Sequence, residues 1–133
     1  MECDRGTVAD LAVYMEKARL TMSLKHLDDG LKSFGKMEKL YLGNTTLIQA
    51  LSEGKPDVGN LRETFFLSQM QVNQKVYASK VSDFMIDGKT FEVGGKNKSK
   101  KQIAETKDAF VVKDNIEYGY ENIIPLWHFG MNY

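Results

Sequence analysis

Asp83 and Glu92 stand in a stretch whose turn chemistry sets their separation, the run VSDFMIDGKTFEVGGK from Val81 to Lys96. Asp87-Gly88 lies between two alternating runs. That is the strongest short-range hairpin signal, because both central residues of a type I′ turn take positive φ. A two-residue turn pairs Ile86 with Lys89, and the same register sets Phe84 opposite Phe91 and Asp83 opposite Glu92. Residues so opposed have Cβ atoms roughly 4.5–5.5 Å apart, and like charges there are destabilising. Ser82, Phe84, Ile86, Phe91 and Val93 share the other face, which the phenylalanines mark as core. The two carboxylates therefore need a cation or a buried lysine between them, or open water that screens them. A solvated hairpin face is the plain alternative to a site.

Two further groups lie near this pair in the chain. Glu63 falls inside the apolar arc of a helix that carries Leu61, Phe65, Phe66, Leu67 and Met70, since positions three, four and seven apart share a face. A buried acid must be paired or neutral, whereas a Glu at the rim of a broad stripe reaches water. After the hairpin comes Lys96-Asn-Lys-Ser-Lys-Lys101. With Lys89 it makes five lysines beside the paired acids, and Lys98, Lys100 and Lys101 are candidates for holding phosphate. The alternative is a solvated charge run.

The elements that must position these groups follow from periodicity and capping. A helix is expected from Thr7 to about Arg19, with Val8, Leu11, Ala12, Met15 and Ala18 as a buried stripe. Leu20, Met22 and Leu24 alternate as a strand, His26 to Lys36 reads as a loop, and Glu38 to Leu42 as a second strand. Asn44 caps a short helix through Leu51. Residues 52–59, with Gly54 and Pro56, are the candidate linker, and a stronger helix runs from about Asn60 to Met70. A short strand at Lys75 to Ser79 precedes the hairpin. Ser99 with Gln102 forms a capping box for a helix to about Thr106, and Ala109 to Lys113 is an apolar strand. The aromatic-rich residues from Asn115 to Tyr133 are expected to close the core.

Composition bounds the function classes. The chain has 133 residues, which fits one sizeable core. Eighteen basic and eighteen acidic side chains balance, so no global field draws it to nucleic acid or membrane, and any such binding must come from a local patch. Cys3 is the sole cysteine, which gives no disulfide framework and suits a reducing cytoplasm. No apolar run approaches the roughly 18 residues of a membrane-spanning helix. There is no G-x-x-x-x-G-K-S/T, so no P-loop ATPase activity is expected of this chain alone.

The order helix, strand, hairpin, helix, strand, with acids on the first helix and both hairpin strands, resembles the PD-(D/E)xK or restriction-endonuclease-like fold. That resemblance implies Asp83 and Glu92 as the two metal acids, Glu63 as the helix acid, and Mg²⁺ or Mn²⁺ as the ion. The family's lysine lies two residues after the second acid, where this chain has Gly94. Lys96 is about 13 Å from Glu92 along a regular strand, and serves only if Gly94-Gly95 lets the chain double back. Val13 to Leu20, Glu38 to Thr45, Gly59 to Phe66 and Asp83 to Lys98 also resemble, in order, segments of a prokaryotic AAA-type ATPase family. Its members join an ATPase domain to a C-terminal domain of unassigned function similar to the nuclease fold.

The expected architecture is α/β, a small mixed sheet flanked by helices, restriction-endonuclease-like. Residues 1–53 would form a helix, wing-like hairpin and short helix (a winged-helix remnant), and residues 60–133 the α/β domain. Two functions follow. One is an accessory ATPase domain of degenerate, metal-dependent nuclease type that binds nucleic acid or has lost catalysis, with Asp83, Glu92 and Lys96 as its catalytic positions, Asp83, Glu92 and Glu63 as metal ligands, and DNA or RNA as partner. The other is a non-catalytic module for protein partners or self-association. A cytoplasmic location without membrane attachment is expected for both.

Overall fold

The computed structural model describes residues 5–27, 37–99 and 101–131. Helix α1 (Arg5–Lys17) leads into a two-stranded antiparallel sheet of β1 (Thr21–Leu24) and β2 (Lys39–Leu42). Helices α2 (Thr45–Leu51) and α3 (Val58–Met70) follow, then β3 (Tyr77–Ala78), β4 (Phe84–Ile86) and β5 (Lys89–Gly94). A 3-10 turn, Lys101–Ile103, crosses over to β6 (Ala109–Lys113), and β7 (Ile123–Pro125) runs into a 3-10 helix, Leu126–Met131. The five strands β3 to β7 form one sheet in sequence order, antiparallel from β3 to β5 and parallel from β5 to β7. The protein is thus mixed α/β. No helix among the described residues is long and apolar enough to cross a membrane.

The hairpin forms as its turn residues demand. Asp87 has φ 49° and Gly88 φ 75°, and Phe84 pairs with Phe91, Met85 with Thr90 and Ile86 with Lys89. Two caps set the helices: the Asn44 side chain accepts from Leu47 N–H, and that of Asp57 from Asn60 N–H. Phe66 on α3 sits fully buried against Phe84, Phe91 and Phe129, with ring centroids 5.1, 5.5 and 4.7 Å away. Met22, Leu24 and Tyr41 of the first sheet belong to this same cluster, so the segments before and after residues 52–59 share one core. Ile103, Ala109, Val111 and Ile123 form a smaller cluster on the other face of the large sheet.

Three expectations differ. The α1 stripe of Val8, Leu11 and Met15 is exposed, because helical spacing reports an apolar face but not whether this chain supplies its partner. Where a helix from Ser99 to about Thr106 is expected, the described residues form one 3-10 turn, Lys101–Ile103, and Lys100 lies outside them. Ile103 is its buried apolar anchor, and too few turns form to offset helix nucleation. Finally, Phe129 joins the core while Tyr118, Tyr120 and Trp127 face outward.

Candidate functional site

Strand β4 stops one residue short of Asp83, and this frees a ladder position. A continued ladder would hand Val93 N–H to the backbone of residue 82; instead Asp83 Oδ2 accepts it at 2.9 Å. Asp83 is therefore held beside β5 just outside the paired residues, close enough for its charge to act on Glu92. Its Oδ1 lies 3.5 Å from Lys39 Nζ, and Lys39 Nζ is 4.0 Å from Glu63 Oε2. Tyr41 donates to Glu63 Oε2 at 2.6 Å. Lys39 and Tyr41 are two apart on β2, so one face of the small hairpin delivers both to the acids.

Glu92 is the most deeply placed of the three carboxylates, 2% exposed at the centre of the sheet. Its Oε1 meets Lys98 Nζ at 2.5 Å, and its Oε2 is buried without a hydrogen-bond partner among the described residues. Asp83 and Glu92 thus each have their own, partly exposed lysine, where a single buried lysine between the two was one of the expected arrangements.

The route of Lys98 to Glu92 explains Gly94. A turn closed by Lys98 N–H to Gly95 C=O, 2.9 Å, brings the chain back over the end of β5. A Cβ added at Gly94 would stand 2.6 Å from Lys98 Cδ and 2.7 Å from its Cγ. Gly94 does not take positive φ, so its backbone could carry a side chain; the room is already filled by the Lys98 stem. Lys98 thus passes through the space of a residue-94 side chain and ends on the second acid. Gly95 likewise lies under the Arg62 guanidinium, whose Nε donates to Asp114 Oδ2 at 2.9 Å.

The expected residues are therefore sorted as follows. Asp83, Glu92 and Lys98 come together. Lys96, which could serve only by folding back onto the acids, is exposed; the doubling back occurs, but it delivers the residue two further on. Lys101 is exposed on the crossover turn, and Lys100 lies outside the described residues. Glu63 joins the charge network through Lys39, yet no group of three His, Cys, Asp or Glu among the described residues is arranged to hold one metal ion. Tyr41 and Lys39 draw its carboxylate away from that role. Neither residue was expected at the site, although the alternation of β2 does place them on one face.

Burial pushes the Glu92 carboxyl up from its ordinary value, with the Lys98 hydrogen bond opposing and Asp83 adding to the rise. Burial also raises Glu63, against the Tyr41 hydrogen bond, with Asp83 again adding. Tyr41 is raised by burial and then by Glu63, and stays a neutral donor. Burial works against the charge of Lys98, but its hydrogen bond to Glu92 and the surrounding acids outweigh it, so it is held protonated. Three carboxylates face two ammonium groups, which leaves a net negative charge when all are ionised.

No family model matches the chain, and neither a curated protein nor a solved structure matches it.

The raised Glu92 pKa has a signed consequence. The folded state prefers the protonated carboxyl, so this group's contribution to stability falls as pH rises from its unfolded value through the higher folded value. Glu92→Gln removes that dependence. Its stability relative to the unmodified protein should therefore improve as pH rises from about 4.5, the ordinary Glu range, toward neutrality. Urea midpoints at several pH values measure this; a relative stability that declines with pH would mean that Lys98 outweighs burial.

Proposed function

We infer that the face carrying Asp83, Glu92 and Lys98 is a nuclease-like, divalent-cation-dependent phosphodiester site. The observation that carries this reading is Lys98 lying in the side-chain space of Gly94 with its ammonium on buried Glu92. A lysine two residues beyond the second acid is what the nuclease pattern requires, and Lys98 meets that need in space. The element order supports it: α3, the β3–β4–β5 meander, a short helical crossover, then β6 parallel to β5. This order resembles that of the restriction-endonuclease-like fold, with a three-residue 3-10 turn where that fold has a crossover helix. With the resemblance of four separated segments, it supports a C-terminal accessory domain of the AAA-type ATPase family.

The donors suit a hard cation in kind, being carboxylate oxygens. Mg²⁺ is commonly held by one or two carboxylates with waters completing the shell, and Asp83 with the orphaned Glu92 Oε2 supplies two. When bound, such an ion lowers the pKa of its water and stabilises charge on a phosphate oxygen. Lys98, kept protonated by its acids, serves as a fixed positive charge beside the reacting phosphate rather than as a base. Tyr41 and Lys39 hold Glu63 and Asp83 in place. The test is incubation of labelled single-stranded and duplex DNA and RNA with Mn²⁺. Cleavage is expected that Glu92→Gln abolishes.

The second reading, an interaction module, is favoured by a separate observation. Val8, Leu11, Tyr14 and Met15 of α1 are exposed apolar residues on one short helix. Folded protein that neither binds nor cleaves nucleic acid would leave that module as the function.

A further inference from the structure

Strands β5, β6 and β7 are parallel, so their C-terminal ends lie side by side, and ligands of open α/β sheets bind outside such ends. Beyond β5 is the Gly94–Lys98 turn of the acid site. Beyond β6 and β7 is an open cavity of about 570 Å³ lined by Asp114, Asn115, Ile116, Glu117, Tyr118 and Trp127. Three contacts tie the cavity to the acid site. Asp114 N–H donates to Gly94 C=O at 2.9 Å, and Arg62 bridges Asp114 to Gly95. Ile116 packs on the Val111 cluster, and Val111 is the register partner of Glu92, so cavity and acid share a face.

The chemistry of the walls suits a flat, partly polar ring. Tyr118 is 81% exposed and Trp127 51%, although aromatic side chains are usually spent on the core. The Trp127 indole is held from behind, its Nε1 donating to Ile116 C=O at 3.3 Å, with the His128 ring edge-on at 4.2 Å. Asn115 and Glu117 offer hydrogen-bond partners to a base edge. The cavity wall itself carries the acids Asp114 and Glu117 and, among the described residues, no basic one, so the aromatic faces, not the wall's charge, are what a ring would meet. Aromatic faces on which bases stack are one of the ways proteins hold unpaired strands.

We propose that this cavity stacks an unpaired nucleobase of the strand whose phosphate lies at Glu92 and Lys98, which makes single-stranded nucleic acid the substrate class. The proposal rests on the nucleic-acid reading of the acid site. Trp127 is the sole tryptophan of the chain, so its fluorescence reports this cavity alone.

The experiment titrates the whole chain, with Ca²⁺ in place of Mn²⁺, with an end-labelled oligothymidylate about eight nucleotides long, following Trp127 emission and label anisotropy together. Saturable quenching is expected, with affinity about tenfold weaker in Tyr118→Ala. An abasic sugar–phosphate strand should bind without quenching. Oligonucleotide binding with unchanged Trp127 emission would overturn the stacking while leaving the acid site's reading in place. Equal quenching by a blunt duplex would overturn the requirement for an unpaired base. An emission change that follows protein concentration rather than oligonucleotide would mark a contact between copies and overturn the proposal. Quenching retained in a protein that shows no Mn²⁺-dependent cleavage would support the cavity and count against the catalytic reading alone.

Discussion

Replacing Lys98 by alanine is expected to slow metal-dependent cleavage of nucleic acid by about 10²–10³-fold, the usual cost of removing one preorganised charge or donor from a phosphoryl or acyl site. Lys96→Ala in the same assay should change the rate by about twofold or less, because that side chain is exposed and only screens a passing phosphate. The contrast is sharp because the two lysines are two residues apart on one turn and differ only in where the turn sends them. Lys98 crosses Gly94 to a carboxylate that is 2% exposed, where its charge is little screened. A Lys96 variant that loses activity while the Lys98 variant keeps it would reverse the assignment.

Phe66→Ala should be the most damaging substitution in the core. The ring is fully buried and touches three other phenylalanines drawn from β4, β5 and the C-terminal 3-10 helix. Truncating a buried Phe typically costs about 3–5 kcal/mol, since the lost transfer energy is joined by the cavity left behind. A domain of this size has about 5–15 kcal/mol in total. The melting temperature should fall by about 10–20 °C, measured by circular dichroism. A fall of only a few degrees would mean that the sheet and α3 do not depend on this ring. Because Glu63 is three residues before Phe66 on α3, the same variant should also lose whatever activity the acid face has.

Local chemistry in the sequence was enough for the hairpin and for its acids. Asp87-Gly88 determines a two-residue turn, the turn determines the register of Phe84 to Phe91, and that register brings Asp83 alongside the strand that carries Glu92. Strand β6 likewise follows from its apolar run. Lys98 was not legible as the partner of Glu92, because strand arithmetic holds only while the strand continues. After Gly95 the chain turns, and which lysine returns depends on that turn's geometry. Tyr41 and Lys39 were hidden for a different reason. They meet Glu63 and Asp83 across 22 and 44 residues of chain, and such contacts are visible only once the small hairpin docks on α3. Helical spacing on α1 correctly reports an apolar face, but that face lies on the surface here.

If Asp83 and Glu92 form the proposed divalent-cation site, with Lys98 as the resident counter-charge, the protein should take up Mn²⁺, read as loss of the free-ion electron paramagnetic resonance signal during titration. Glu92→Gln and Asp83→Asn should abolish measurable uptake. Lys98→Ala should bind the ion more tightly than the unmodified chain while cleaving more slowly, because removing the ammonium frees Glu92 and leaves like charge uncompensated. Folded protein that takes up no Mn²⁺, with Lys98 present or replaced, would rule the cation site out.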